Sequence, residues 1–196
     1  MINADQALQI LMEGNKRFMA AKPLYPNLTP KRRKELSKGQ QPFAIIFGCV
    51  DSRVPPELVF DRGLGDLFVI RTAGQALDDA ALCSIEFGVE KFNIPLVMVL
   101  GHEKCGAVSA TIEVVEKKGV SHGQINTLVE IIMPAVEKAM GQPGDLLENS
   151  VRANIQLTVD KLKASPSLSK YLDKSKIKVV GAHYDLDTGA IDIITP

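Results

Sequence analysis

Two stretches of the sequence decide its fold: Phe43-Ala44-Ile45-Ile46-Phe47-Gly48-Cys49-Val50-Asp51-Ser52-Arg53 and Pro95-Leu96-Val97-Met98-Val99-Leu100-Gly101-His102-Glu103-Lys104-Cys105-Gly106. Each begins with a short, continuously apolar run and ends in a polar motif. Runs of this kind are typical of parallel strands that are covered on both faces. The sequence therefore predicts an α/β fold with a mainly parallel central sheet flanked by helices.

The metal-binding residue types collect directly after these two predicted strands. Cys49 follows the first run, and His102 and Cys105 follow the second. In an open α/β sheet, ligands bind beyond the carboxyl ends of the strands, so the topology brings the three side chains to one edge. Two thiolates and an imidazole suit Zn²⁺, and three protein ligands leave a fourth position for water, as in catalytic zinc sites. We therefore expect one zinc ion per subunit.

The other cysteine and histidines belong to no ligand motif. Cys83 falls in the apolar helical stretch 77–92, where a small buried thiol is expected. His122 precedes a predicted helix, and His183 ends the strand-like run that begins at residue 177. We expect ordinary surface or core roles for all three residues, which disfavours a structural zinc site closed by a fourth Cys or His.

Asp51 and Arg53 share a tight turn with Cys49, and a structural zinc site has no need of them. Asp51 could occupy the fourth position on the metal, or it could accept a hydrogen bond from a zinc-bound hydroxide. Arg53 could hold the carboxylate in a bidentate pair and keep it ionised. A plain salt bridge in a turn is the alternative, but the adjoining Cys and the distant H-x-x-C motif favour a catalytic dyad.

The pattern C-x-D-S-R, followed further along the chain by G-H-x-x-C-G, resembles the signature of the β-class carbonic anhydrases. Similar segments cover most of the chain: 42–75, 80–92, 96–108 and the turn at 184–189. The resemblance implies that Cys49, His102 and Cys105 bind the zinc and that Asp51 and Arg53 are catalytic. The implied reaction is the reversible hydration of carbon dioxide to bicarbonate and a proton by a zinc-bound hydroxide.

The resemblance also implies a substrate pocket formed where two subunits meet. It assigns a side-chain hydrogen bond to the substrate to Gln40 and a backbone N–H that faces the substrate to Gly106. The apolar carbon dioxide pocket is assigned to Phe68, Ala73 and Phe87. Without the resemblance, the two phenylalanines would be interpreted as core residues.

Two departures from the family pattern bear on the subgroup. The chain has Arg71-Thr72-Ala73-Gly74-Gln75 where many members have Arg-Asn-x-Ala-Asn. One subgroup uses a Trp three residues before the first Cys ligand in a non-catalytic bicarbonate site, whereas this chain has Ile46 there and no Trp. Together with Gln40, this favours the plant-like subgroup, in which water or hydroxide keeps the fourth position on zinc and Asp51 stays with Arg53.

Composition sets the wider expectations. A chain of 196 residues with 45% hydrophobic content and formal net charge zero fits one globular domain, 1–196, with an amino-terminal helical arm at 1–40. The basic run 31–34 follows Thr29 and Pro30 and predicts a solvated helix face, so no nucleic-acid partner is expected. No secretory pattern or membrane-spanning run is present, and three cysteines, two of them assigned to metal, indicate a reducing, cytoplasmic compartment.

Apolar periodicity predicts the remaining elements. One amino-terminal stripe predicts a helix that docks on another surface: Leu8, Leu11, Met12, Phe18 and Met19. The resemblance places that surface on a neighbouring subunit, in a homo-oligomer that is a dimer or a multiple of dimers. Later patterns predict helices at 108–117, 124–140 and 146–163, a strand at 178–182 and a carboxyl-terminal antiparallel edge strand at 191–194.

Two other functions are compatible with these residues. A hydrolase of carbonyl sulfide or carbon disulfide would use the same scaffold and the same hydroxide attack, and access to the pocket would separate it from a carbonic anhydrase. A non-enzymatic, zinc-stabilised scaffold is the second alternative. The presence of both Asp51 and Arg53 argues against it.

Overall fold

The computed structural model describes residues 2–117, 123, 125–172, 174 and 176–195, so His122 lies outside the described residues. The helices are α1 (Ala4–Met19), α2 (Pro30–Leu36), α3 (Pro56–Val59), α4 (Asp79–Phe92), α5 (Gly106–Lys117), α6 (Ile125–Ala139), α7 (Leu146–Ala164) and α8 (Pro166–Leu172). The strands are β1 (Ala44–Cys49), β2 (Leu67–Thr72), β3 (Leu96–His102), β4 (Lys178–Tyr184) and β5 (Ile191–Thr195).

The strands form one sheet in the order β2-β1-β3-β4-β5. The pairs β1–β2, β1–β3 and β3–β4 are parallel, and β5 pairs antiparallel with β4 at the edge. The predicted α/β class, with its mainly parallel sheet and its antiparallel carboxyl-terminal edge strand, is confirmed. β2 is not among the strands predicted from sequence, although it forms the opposite edge and leads directly into the metal centre.

Helices cover both faces of the sheet, which explains why the central strands are apolar throughout. Successive side chains of a strand point to opposite faces. Ile45 and Phe47 of β1 therefore pack in the cluster that α4, α6, α7 and α8 complete, whereas Ile46 packs on the other face with α1 and α3. Every residue of β1 and of β3 is buried. Rigid, fully buried strands thus carry both ligand motifs.

The amino-terminal helix α1 packs on the chain's own sheet. Its apolar stripe buries Ala7 and Leu11 completely against that face. The buried Asn15 amide donates hydrogen bonds to the carbonyls of Val59 and Gly189 and accepts one from the N–H of Ile191. The prediction that this stripe docks on a neighbouring subunit is therefore wrong for Leu11, the predicted stripe residue that is fully buried. An apolar stripe shows that a helix must be covered, but it does not say by which surface.

The segment between α1 and α2 is held by the buried carboxylate of Asp61. This carboxylate accepts hydrogen bonds from the backbone N–H groups of Leu24 and Tyr25 and from Nε of Arg17 at 2.6 Å. Burial alone would raise the pKa of Asp61, but these donors lower it below its ordinary value. In the following helix α2, Thr29 caps the amino terminus, and no residue is buried, which confirms the predicted solvated face.

One burial prediction for α4 is wrong. Cys83 is exposed, whereas Ala81, Ile85 and Val89 supply the buried face of the helix. Because Cys83 lies two residues from both Ala81 and Ile85, the helical repeat of 3.6 residues turns it to the opposite side. Among the described residues, no helix has both the length and the apolar character to cross a membrane.

Candidate metal centre

Three buried ligand atoms converge beyond the carboxyl ends of β1 and β3. Cys49 ends β1, His102 ends β3, and Cys105 follows in the loop before α5. Their ligand atoms all lie within 4.8 Å of one another, and the two Sγ atoms are 4.0 Å apart. In a tetrahedral site with Zn–S bonds of ~2.3 Å, the sulfurs would be about 3.8 Å apart. The predicted convergence of the three residues is thus present without rearrangement.

The imidazole of His102 provides a further test of the fit. Its Nδ1 lies 2.7 Å from the carbonyl oxygen of Glu103, which favours a proton on Nδ1 and leaves Nε2 as the free acceptor. Nε2 is buried and has no hydrogen-bond partner among the described residues. A buried, unsatisfied acceptor is costly unless a ligand completes it. Together with the two thiols, this nitrogen makes a donor set that suits zinc.

One of the two thiols favours the ionised form, and the other stays protonated. The hydrogen bond from the Cys105 thiol lowers the pKa of Cys49 to about 4, and the same bond raises the pKa of Cys105 above its usual range. The N–H of Gly74 also donates to Cys49 Sγ at 3.2 Å. The pair therefore shares one proton, which metal binding is expected to release.

Asp51 and Arg53 form the bidentate pair that the sequence predicts. Arg53 Nε donates to Asp51 Oδ1 at 2.9 Å, and Arg53 Nη2 donates to Oδ2 at 2.7 Å. The backbone N–H of Arg53 adds a third bond to Oδ1 at 2.9 Å. The side-chain bond from Arg53 holds the pKa of Asp51 well below its usual range. An ionised carboxylate therefore stands beside the centre, with Oδ2 3.8 Å from Nε2 of His102.

The turn after β2 supplies contacts that the sequence analysis missed. Gly74 has a left-handed backbone with φ of 59°, and a Cβ atom there would lie 2.8 Å from Ile132 Cδ1 and 3.0 Å from Ala107 Cβ. Its carbonyl accepts a hydrogen bond of 2.8 Å from the buried side chain of Asn154 in α7. The unusual sequence at 71–75 indicated that this turn differs from the family pattern. It could not identify the contacts of Gly74, because its partners lie far away in the sequence.

Of the predicted substrate-binding residues, two lie next to the metal ligands. Ala73 precedes Gly74 in a single 3₁₀ turn, Ala73–Gln75. Gly106 begins α5 directly after Cys105, and a Cβ atom built on it would have no neighbour within 4 Å. The backbone of Gly106 therefore borders open space at the centre.

The other three predicted substrate-binding residues lie away from the chain's own centre. Phe68 pairs with Ile45 in the sheet, four residues before Thr72 reaches the level of Cys49, a distance of about 13 Å along a strand. Phe87 is 52% exposed on α4, and its ring lies 5.7 Å from that of Phe92, which lies 5.9 Å from the ring of Phe68. Gln40 is exposed before β1, at the opposite end of the sheet.

His183 takes the structural role expected of it. It is buried in β4, and its Nε2 lies 3.3 Å from Glu148 Oε2. Neither His183 nor Cys83 joins the metal-ligating group among the described residues.

This combination is that of a zinc enzyme: a buried Cys-His-Cys group with an ionised Asp–Arg pair beside it. The family model described as "Carbonic anhydrase" matches residues 44–191. Carbonic anhydrase 2 of Mycobacterium tuberculosis is 39% identical over 188 residues, which cover 95% of this chain and 91% of the relative. The carbonic anhydrase of Mycolicibacterium smegmatis is 38% identical over 194 residues, 97% of this chain and 93% of the relative.

Solved structures agree with these relatives. The β-carbonic anhydrase CcaA superposes with a TM-score of 0.73 at 24% identity, over 96% of this chain and 99% of that one. The Coccomyxa β-carbonic anhydrase in complex with acetazolamide gives a TM-score of 0.72 at 25% identity, over 95% and 86%. The chain belongs to the β-class carbonic anhydrase family. It is a zinc-dependent lyase that hydrates carbon dioxide, which confirms the family, the cofactor and the activity predicted from its motifs.

Proposed function

We propose that Cys49, His102 and Cys105 hold one zinc ion per subunit for the reversible hydration of carbon dioxide, and that Asp51 and Arg53 are the catalytic pair. The observation that carries this assignment is the bidentate Asp51–Arg53 pair, placed 3.8 Å from the free nitrogen of a buried Cys-His-Cys group. When bound, zinc supplies a water molecule that ionises near neutral pH. The remaining chemistry belongs to the side chains around it.

Asp51 is suited to orient the reacting water. Because its carboxylate is ionised, it can only accept hydrogen bonds, and it would turn a lone pair of the water oxygen toward an apolar carbon dioxide molecule. Arg53 engages both carboxylate oxygens, so movement of Asp51 onto the metal would break two charge-assisted bonds. Of the two roles left open by the sequence, this geometry supports the acceptor and not the fourth ligand.

We infer that a second copy of the chain completes the substrate pocket. Phe87 is 52% exposed, and Gln40 lies at the far end of the sheet from the chain's own centre. β2 is an edge strand whose apolar residues are only half-buried, and such edges are normally covered. A structural neighbour with a TM-score of 0.75 and 19% identity is described as one of two tetrameric β-carbonic anhydrases from Sordaria macrospora. These features support a dimer or a multiple of dimers.

Sedimentation and activity of Phe87→Lys would test this assembly. The side chain is exposed in one chain, so the substitution should leave the fold intact while it weakens association and activity together. Met140→Lys is the matched control, because Met140 is 50% exposed at the end of α6. If Phe87→Lys retained both the association and the activity of the unmodified protein, the shared pocket would be refuted.

The compartment and the domain organisation remain proposals. We propose a reducing, cytoplasmic environment, because Cys49 and Cys105 must stay unoxidised to bind metal and Cys83 is an exposed free thiol. We also propose that 1–196 is one domain, with the arm 1–40 within it. The packing of α1 on the sheet supports this organisation.

A stopped-flow carbon dioxide hydration assay with metal analysis tests the catalytic assignment. Asp51→Ala should keep its zinc and lose on the order of 10²-fold or more in turnover, the contribution typical of a positioned acid–base group. Asp187→Ala is the control, because this exposed carboxylate lies away from the metal ligands and forms an ion pair with Lys104 at 3.2 Å. Normal turnover in Asp51→Ala would refute the role of the dyad, and hydrolysis of carbonyl sulfide or carbon disulfide without hydration of carbon dioxide would favour the alternative enzyme.

A further inference from the structure

Arg71 ties together the main chain that carries the first metal ligand and the dyad. It lies in β2 opposite Gly48 of β1, and its side chain is half-buried. Its Nε donates to the carbonyl oxygen of Cys49 at 2.7 Å. Its Nη2 donates to the carbonyl oxygens of Asp51 at 2.6 Å and of Val54 at 3.4 Å. One guanidinium therefore contacts three carbonyls between the end of β1 and the beginning of α3.

The hydrogen bonds from Arg71 hold the main chain beyond the end of β1, where backbone pairing with β2 has stopped. Pairing of β1 with β2 ends at Cys49 and Thr72, and only one further ladder bond follows, from the N–H of Val50 to the carbonyl of Thr72 at 3.1 Å. Beyond that point the carbonyls of Asp51 and Val54 have no strand beside them. The described residues place no carboxylate within ion-pair distance of Arg71. The guanidinium therefore directs its N–H donors to backbone carbonyls. A lysine ammonium cannot reproduce this planar arrangement of donors.

We propose that Arg71 is a positioning residue for carbon dioxide hydration, which fixes the backbone of Asp51 so that its carboxylate stays at the right distance from the metal ligands. This inference rests on the catalytic role proposed for Asp51. Arg53 sets the orientation of the carboxylate, but Arg53 belongs to the same turn. Its described bond outside that turn, from Nη2 to the carbonyl of Lys104, is long at 3.3 Å. Arg71 comes from another strand, so it anchors the turn to the sheet.

The metal ligands have other supports, and the proposal therefore separates zinc binding from turnover. Cys49 remains paired with Thr72 in the sheet, and its Sγ keeps the N–H of Gly74. In the described part of the chain, Arg71 donates its hydrogen bonds to the carbonyls of Cys49, Asp51 and Val54 and to neither His102 nor Cys105. Loss of the guanidinium should release the turn at Asp51 while the ligand set stays in place, and a displacement of about 1 Å can cost on the order of 10²-fold in rate.

The test compares Arg71→Ala and Arg71→Lys with Arg62→Ala in the zinc-loaded protein. Arg62 is a matched control, because it is also half-buried and its Nε donates to one backbone carbonyl, that of Phe60, at 3.0 Å. Zinc content, kcat, KM and the visible spectrum of the cobalt-substituted protein are measured. The cobalt spectrum reports the ligand geometry independently of turnover.

We expect full zinc occupancy in all three variants. In Arg71→Ala, kcat should fall on the order of 10²-fold with little change in KM. The cobalt spectrum should stay close to that of the unmodified protein, because the three ligands keep their own supports. Arg71→Lys keeps the charge but loses the fork, and it should recover only part of kcat. Arg62→Ala should match the unmodified protein in all readouts.

Three results would overturn the proposal. The first is a folded Arg71→Lys or Arg71→Ala with normal kcat. The second is a loss of kcat no larger than that of Arg62→Ala. The third is loss of zinc from folded Arg71→Lys, which would make Arg71 a support of the ligand and not of the dyad. An inactive unmodified protein with full zinc would instead refute the proposed function, so the two failures are distinguishable.

Discussion

Replacing Gly74 by alanine should destabilise the fold and weaken metal binding at the same time. Gly74 has a φ of 59°, and an added Cβ atom would lie 2.8 Å from Ile132 Cδ1, 3.0 Å from Ala107 Cβ and 3.9 Å from Cys105 Sγ. Its N–H holds Cys49 Sγ at 3.2 Å, and its carbonyl is held by Asn154. Ile132 Cδ1 ends a side chain that can rotate away, whereas Ala107 Cβ cannot. The new methyl group should therefore push the turn away from α5 and pull the N–H away from the sulfur.

The expected magnitude has two parts. A left-handed conformation costs a non-glycine residue about 1–2 kcal/mol. Overpacking in a well-packed site costs a further 1–3 kcal/mol or so, for a total of about 2–5 kcal/mol. Gly141→Ala is the matched control, because Gly141 has a φ of 78° and open space around the added Cβ atom. Gly141→Ala should show only the cost of the left-handed conformation, about 1–2 kcal/mol.

Thermal unfolding at one fixed protein concentration measures the stability difference, since assembly makes Tm concentration-dependent. Competition with a chelator measures zinc affinity, which should fall about 10- to 100-fold in Gly74→Ala, as is typical when a group that supports a ligand is lost. Gly141→Ala should keep the zinc affinity of the unmodified protein. Equal destabilisation by the two substitutions, with unchanged zinc affinity in both, would refute the reasoning.

Two further predictions concern the ligand set and Asp61, the buried carboxylate that binds Arg17, Leu24 and Tyr25 of the arm. Cys105→Ser should lose zinc and activity together, and full zinc occupancy measured by metal analysis would point to a different ligand set. For Asp61, the folded-state pKa lies below the ordinary value of about 3.9, so its stabilisation is complete above that pH and is lost as the pH falls through the lowered pKa. The difference in the free energy of unfolding between the unmodified protein and Asp61→Asn should therefore shrink from neutral pH to about pH 3. A difference that stays constant over that range in urea titrations would contradict this assignment.

Sequence patterns correctly predicted the strands and side-chain positions that depend on residues close together in the chain. The continuous apolar runs of β1 and β3 require burial on both faces, and the ligand motifs follow them without a gap. Chain direction then places Cys49, His102 and Cys105 at one edge of the sheet. β2 was missed because its residues are only half-buried and the strand ends in Arg71 and Thr72, so its run resembles an edge segment as much as a strand.

The sequence by itself determined the parallel sheet, the convergence of Cys49, His102 and Cys105 and the Asp51–Arg53 pair. Strand burial, motif spacing and a two-residue turn are properties of neighbouring residues. Only the tertiary structure decided which surface α1 covers, that Cys83 faces outward, that Gly74 donates to Cys49 and that Arg71 binds the carbonyls of Cys49, Asp51 and Val54. Those contacts join residues that are distant along the chain. An amphipathic pattern shows that a helix must cover an apolar surface, and a half-buried arginine shows that it must find acceptors. Which surface and which acceptors these are depends on how the helices and strands pack.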